Sequence, residues 1–290
     1  MNPTPKTIQI FLPGGDPRGI RVAEITTRIV QVIEVPRSLL QAFFKMPESE
    51  QVALYFLVGN AEDEADPKVY VGQTGDVRAR LASHDQKKDF WQRALVLISR
   101  TNSLTQTHAL FLEWFCLQAV RKAGRYADEN GNSGSKPHTP PPLEADCYEI
   151  FDTGRTLLAT LGYPLFDAVA DTTSLSQTDE TFFCKSAGID GRGLYTPEGF
   201  VVLKGSIGRR ANVPSMAGTS EERFRQKLVE AGIMTEQGDS VVFTKDHLFN
   251  SPSMAVIALL GSTANGWKTW RDASGRSLDE VKRSAPEAGA

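Results

Sequence analysis

Val52-Ala53-Leu54-Tyr55-Phe56-Leu57-Val58 and Lys68-Val69-Tyr70-Val71-Gly72-Gln73-Thr74-Gly75 are two short apolar runs, each built around a tyrosine. Runs of this length suit strands better than helices. The acidic residues 60–66 between them read as a hairpin-like connection. From Val77 to His84 the pattern turns helical, and Arg80 and His84, four positions apart, share one helix face. Phe90–Ile98 is a further apolar segment whose later part suits a strand. His108–Lys122 is an amphipathic helix, with Leu112, Phe115 and Ala119 recurring at helical spacing and Glu113 inside it.

On the N-terminal side the chain alternates in the manner of strands. Ile8, Ile10 and Leu12 share one face, Pro13–Gly19 is dense in turn residues, and Ile20–Ile25 alternates again. A β-branched run follows from Arg28 to Val35, then a short helix around Arg37–Lys45. A sheet edge or an oligomer contact is the expected role here. On the C-terminal side, Asn130–Ser135 and Pro140-Pro141-Pro142 predict a loop over 127–146. Cys147–Val169 reads as helical with interruptions at Gly154, Gly162 and Pro164, and Asp171–Glu180 as a linker. Strands at Gly199–Lys204 and Ser240–Thr244, a helix at Glu221–Ala231, and a helix opened by Ser251-Pro252-Ser253 complete the pattern.

The 290 residues suggest two domains, with 40 % hydrophobic and 23 % charged residues, an ordinary globular balance. No stretch reaches the ~18–20 apolar residues needed to span a bilayer. Met1–Lys6 lacks the layout of a secretory signal. Cys116, Cys147 and Cys184 are far apart, which reads as reduced thiols in a cytoplasmic protein and excludes a four-cysteine zinc site. The net charge of −3 conceals a segregation. Residues 1–143 carry 17 Lys/Arg against 15 Asp/Glu, and 181–290 carry 14 against 12. Residues 144–180 hold 8 acids and the single base Arg155. Charge alone neither demands nor forbids nucleic acid.

Taken singly, each of these residues has an ordinary explanation. A tyrosine in an apolar strand is usually core, and Arg80 with His84 is usually a solvated helix face. Glu113 is less ordinary, because it falls between Ala109-Leu110-Phe111-Leu112 and Trp114-Phe115-Cys116-Leu117. Burying an unpaired carboxylate costs several kcal/mol, a cost that a metal or a basic partner removes.

The ordered set Tyr55, Tyr70, Arg80, His84 and Glu113 resembles the GIY-YIG nuclease superfamily, named for two strand motifs that each centre on a tyrosine. Leu54-Tyr55-Phe56 keeps only the tyrosine of the first motif, whereas Tyr70-Val71-Gly72 matches the second well. Arg80 and His84 match an Arg-x-x-x-His arrangement, and Glu113 matches the helix glutamate that holds the metal. The likeness covers about 80 residues. It implies one divalent cation, Mg²⁺ or Mn²⁺, anchored by Glu113 with several waters retained. Metal chemistry of this kind polarises the phosphate and the leaving oxygen. Arg80 offers a planar fork suited to phosphate. A phenol of pKa ~10 is a poor base, but a neighbouring cation favours the phenolate. The resemblance gives Tyr55 the base side and Tyr70 a positioning role, with His84 accepting or relaying a proton. It also implies an asparagine beyond the glutamate helix. Asn130 and Asn132 are the candidates, although an Asn-Gly turn explains each alone. Lys68 shares the strand face of Tyr70 and is a further candidate for phosphate.

Gly199–Ser206, Phe249–Ala255 and Asn265–Trp270 resemble an uncharacterised domain, of the DUF4357 type, that is often fused after such modules. The resemblance supplies no activity. Lys204, Arg209, Arg210 and Lys268 are candidate contacts to a DNA backbone. Trp267 and Trp270 are expected in the core.

The expectation is an α+β protein: an N-terminal β extension over 1–48 and a catalytic domain over 49–143 with a small central sheet flanked by helices. An acidic helical connector over 144–180, a small α+β domain over 181–280 and a disordered tail over 281–290 follow. The expected function is a metal-dependent DNA endonuclease of restriction, genome defence or mobile elements. It acts on double-stranded DNA in the cytoplasm away from membranes, and a homodimer is left open. The alternatives are a catalytically silent DNA-binding protein that keeps the fold, and a nuclease directed to single strands or RNA.

Overall fold

The structure, a computed structural model, describes residues 5–59, 67–132, 134–169 and 181–283. It is α+β and divides into two compact units that meet in sequence at Ala168 and Val169.

The first unit runs β1 (Ile8–Phe11), β2 (Arg21–Ile25), β3 (Val30–Pro36), α1 (Leu40–Phe43), β4 (Ala53–Gly59), β5 (Lys68–Thr74), α2 (Val77–Lys87), β6 (Arg93–Ser99), α3 (Gln106–Ala123), β7 (Ala127–Asp128) and α4 (Pro141–Thr160). Its sheet has the order β1-β2-β3-β6-β4-β5-β7. Every residue of β4 is buried, as expected of a central strand covered on both faces. Leu54, Phe56, Val71, Leu95 and Leu97 pack against α3 and α4. Ala53, Tyr55, Leu57, Ala94 and Val96 face the other way, toward Phe43 of α1 and Val77 and Leu81 of α2.

Two expected boundaries are corrected. The strands of residues 1–48 are not a separate extension, because β3 pairs with β6 from Val30↔Ser99 to Pro36↔Arg93. β1 does stand at the sheet edge. Nor are residues 144–168 a connector. The apolar positions Cys147, Leu157, Leu158, Leu161 and Leu165 belong to the core of the first unit. Gly154 does not interrupt the helix. A Cβ there would run into Leu97 of the sheet, so glycine is what lets α4 lie close. The expected loop over 127–146 likewise contains β7 and the first turn of α4, where proline is tolerated because its missing N–H has no helical partner. The buried carboxylate of Glu34 seals this arrangement, bound by Arg21, by Arg93 at 3.5 Å and by the Tyr163 hydroxyl at 2.9 Å. The expected loop 60–66 and linker 171–180 lie outside the described residues.

The second unit runs β8 (Thr181–Ser186), β9 (Ile189–Thr196), β10 (Gly199–Val202), β11 (Ile207–Arg209), α5 (Ser220–Glu230), β12 (Met234–Gln237), β13 (Ser240–Phe243), β14 (His247–Phe249), α6 (Pro252–Leu260), α7 (Gly266–Thr269) and α8 (Leu278–Lys282). The sheet order is β12-β13-β11-β9-β10-β14, with β8 beside β9. Phe182, Phe200, Val202 and Phe243 bury one face with Ala255, Val256 and Leu259 of α6 and with Trp270. The helix over 278–282, with Arg283 at its C-terminal end, takes residues 281–283 out of the expected tail, and 284–290 lie outside the described residues. Cys116, Cys147 and Cys184 are free and buried. Among the described residues no helix is long and apolar enough to cross a membrane.

Candidate functional site

Antiparallel pairing of β4 with β5 sets Tyr55 opposite Gly72 and Leu57 opposite Tyr70. Tyr55 and Tyr70 therefore share one face of the sheet. A Cβ on Gly72 would collide with the Tyr55 hydroxyl, so the glycine of the second motif leaves the space this ring fills. Asp76 caps α2 by accepting from the Ala79 N–H at 2.9 Å, which starts the helix at Val77. Arg80 and His84 then point back at the sheet.

The side chains meet at the Tyr55 hydroxyl. Arg80 Nε donates to it at 3.0 Å, and His84 Nε2 stands 2.8 Å away. Ring centroids lie 6.3 Å apart for Tyr55 and Tyr70, 5.7 Å for Tyr55 and His84, and 5.1 Å for Tyr70 and His84. Tyr55 is wholly buried, His84 is buried and Tyr70 is half-buried. Burial pushes the Tyr55 phenol well above its ordinary range, against the opposing pull of Arg80. Burial, then Arg80 and two lysines, lower His84 to about 4. Near neutral pH His84 is thus a neutral imidazole. With Arg80 donating to the phenol oxygen, the consistent arrangement has the phenol proton donated to Nε2.

Glu113 arrives from the opposite face of the sheet. Its helix, α3, packs on the α3/α4 side, and its carboxylate reaches the open edge of β5, where it takes the Gln73 N–H. Burial raises its pKa, partly offset by Gln73 and Arg80. Successive groups on this edge of β5 are met in turn. Glu129 N donates to the Val69 carbonyl at 2.9 Å. The Asn130 amide accepts from Val71 N at 2.8 Å and donates to Val71 O at 2.6 Å. Asn130 thus stands one outward-facing residue along the strand from the position that Glu113 occupies, its amide engaged by the backbone. Asn132 is exposed and accepts from Gly134 N. Lys68 is ion-paired with Glu129 at 3.1 Å.

Lys88 was missed in the sequence. It ends the ladder Arg80, His84, Lys88, with Nζ 4.4 Å from the centroid of the Tyr70 ring, and it contributes to lowering His84. The signal was present, since Lys88 follows His84 by the same four residues that separate His84 from Arg80.

A half-buried carboxylate whose burial its neighbours do not fully offset suits a hard cation, which binds through one or two carboxylates plus water. Among the described residues no group of three or more His, Cys, Asp or Glu is placed to hold a metal ion.

In the second unit the four candidates do not share a surface. Arg209 projects from the sheet face away from α6, because its neighbour Gly208 abuts Leu259. Lys268 stands on α7 in the helical layer. Arg210 is paired with Glu236 at 2.7 Å, and Lys204 is exposed in the turn after β10. Trp270 is core, its Nε1 donating to the Pro252 carbonyl at 3.1 Å. Trp267 is covered by Arg283, whose guanidinium carbon lies 3.5 Å from the ring centroid.

These features define an α+β protein with a tyrosine–arginine–histidine–glutamate cluster in its first unit. Residues 182–282 match the family described as "Domain of unknown function (DUF4357)", so the second unit is a DUF4357 domain. That match does not extend over the cluster. No curated protein matches the chain, and no solved structure does.

Proposed function

We propose that the chain is a divalent-metal-dependent DNA endonuclease of the GIY-YIG type, with its DUF4357 domain selecting the substrate. The observation that carries this reading is the Tyr55 hydroxyl held between Arg80 Nε at 3.0 Å and His84 Nε2 at 2.8 Å. Restriction, genome defence and mobile elements are the settings such an activity fits.

Arg80 is the phosphate ligand. Its guanidinium carries five donors, of which the tyrosine oxygens engage only some. When it turns to a bound phosphate, it uncovers the Tyr55 oxygen. That oxygen takes a proton from the attacking water while the phenol passes its own proton to the neutral Nε2 of His84, and phenol and imidazole need never carry charge together. Tyr70 and Lys88 flank the phosphate on the open side. Mg²⁺ or Mn²⁺ on Glu113 would supply charge neutralisation to the phosphate and the leaving oxygen.

The test is nicking and linearisation of supercoiled plasmid, with Mg²⁺ or Mn²⁺ and with chelator. Wild type is compared with Tyr70→Phe, Arg80→Ala and Glu113→Ala, and duplex is compared with single-stranded DNA and RNA. Metal-dependent cleavage lost in all three variants is expected. A second reading, a catalytically silent DNA-binding protein, is favoured by one observation: Tyr55 is wholly enclosed, its hydroxyl already satisfied. DNA bound but never cut, on any of these substrates, would establish it.

A further inference from the structure

Helices pack on one face of the DUF4357 sheet. On the other, Leu194 and Val201 are buried with Val169, Leu203 and Leu248, while Lys185, Arg192 and Arg209 are exposed. Phe183, half-buried, lies at the centre of a row across three strands. It is opposite Arg192 of β9 on one side and opposite Arg271 on the other, where Phe183 N donates to Arg271 O at 2.7 Å and Arg271 N to Phe183 O at 3.0 Å. Directly opposed residues of an antiparallel pair project to the same side, so an aromatic ring stands between two arginine side chains. Lys185 lies over the same ring, Nζ 5.3 Å from its centroid. The register Ile207↔Asp190 sets Arg209 four residues from Arg192 along the strand direction, roughly 13 Å away. Among the described residues the acids near these four cations are Asp190, opposite Lys185, and Glu280, which acts on Arg271. The chain as a whole has net charge −3, so this concentration is not a reflection of composition.

The anchorage of the patch is built in. Arg225 is buried, and its guanidinium holds the backbone carbonyls of Arg209, Arg210 and Ala258 (the last at 3.0 Å) with no acidic partner among these contacts. It fixes the strand end that presents Arg209.

We infer that this cationic face is a DNA-backbone contact surface. Phosphates lie on Arg192, Arg271, Lys185 and Arg209, and Phe183 forms the apolar floor beneath a sugar or base. A repeating anion matches cations spread over several strands, and an aromatic flanked by arginines suits nucleic acid better than an acidic peptide. Among the described residues the face carries no protruding helix or ribbon to enter a groove, so its contribution is affinity and orientation rather than base reading. The inference rests on the reading that the chain acts on DNA and adds where the second unit holds it.

The test uses the full chain carrying Glu113→Gln, so that binding is measured without cleavage, by fluorescence anisotropy with labelled duplex and single-stranded DNA across a salt series. Arg192→Glu with Arg271→Glu is expected to weaken binding at least about 30-fold and to flatten the log K against log salt slope by about 2. Arg223→Glu, exposed on α5 on the helical side, is expected to change neither. In the cleavage-competent chain the double variant should raise KM and leave kcat within about twofold. A stronger loss on single strands in Phe183→Ala would assign a base to that ring. Equal losses on duplex and strand would assign the backbone alone. The inference is overturned if the double variant binds as the parent does while Arg80→Ala loses binding, an outcome that leaves the nuclease reading intact. A wild type that neither binds nor cuts DNA removes both.

Discussion

The Tyr55 hydroxyl and His84 Nε2 stand 2.8 Å apart, one on the central strand of the first sheet and the other on the helix that follows the second tyrosine strand. Each explains the other's state. The ring nitrogen accepts because burial and the cations around it keep the imidazole neutral, and the phenol stays protonated because burial penalises its anion. Tyr55→Phe would leave Nε2 and Arg80 Nε without that partner. The expected cost is about 1–2 kcal/mol in urea unfolding, with plasmid nicking reduced about 100-fold or more. Wild-type nicking rates in that variant would remove the hydroxyl from the reaction.

Acid stability reports the same pair. His84 has a folded pKa of about 4 against 6.5 for the free side chain. Between those values the unfolded chain binds a proton that the folded chain does not, so stability present above pH 6.5 is lost as pH falls toward 4. Urea midpoints across this window are expected to drop in wild type and to drop less steeply in His84→Gln. Parallel slopes for the two would mean that His84 is not held neutral.

Lys88→Gln removes one of the cations that act on His84, after burial and Arg80. The imidazole should titrate at higher pH, seen by NMR of its Cε1 proton, which is assigned by the resonance missing in His84→Gln. With the lysine also gone from beside Tyr70, KM for DNA should rise more than kcat falls.

Gly72→Ala tests the space beneath the second motif. The added methyl would meet the Tyr55 hydroxyl, costing about 1–3 kcal/mol and displacing the ring from Arg80. Thermal unfolding should shift down and nicking should fall. Gly131→Ala, where a Cβ meets nothing within 4 Å, should leave both unchanged.

Arg225→Met tests the anchor of the second unit. Three backbone carbonyls lose their donor, and with each unpaired buried group worth about 1–3 kcal/mol, the DUF4357 domain should lose about 3 kcal/mol or more. Unfolding would then separate into two transitions, the first unit melting as before.

Much of the first unit was legible because its signals are local. The tyrosine strands, the helix with Arg80 and His84, and the amphipathic helix with Glu113 each declare themselves by period and length. The Ser251-Pro252 helix start did the same in the second unit, where Ser251 accepts from Met254 N at 3.3 Å. What was misplaced depended on pairing across long stretches of chain. Residues 30–36 alternate like any strand, and nothing local says that their partner is 93–99. Residues 147–165 carry a helical stripe, but their acidic surface suggested a connector, and only the close approach at Gly154 reveals a layer of the core.

By itself the sequence determined which residues carry charge, several of the strands and helices, and the order in which the tyrosines, arginine, histidine and glutamate of the cluster follow one another. Period and capping are properties of neighbours along the chain, and neighbours are what a sequence displays. The tertiary structure alone decided that Tyr55 is enclosed while Tyr70 is half-open, and that Glu113 reaches the edge of β5 from the far face. It also decided that Asn130 is spent on Val71, and that Phe183 stands between Arg192 and Arg271 on one face of the second sheet. Each depends on strand register and on which face a helix covers. Both are set by burial across the whole domain, which no local pattern contains.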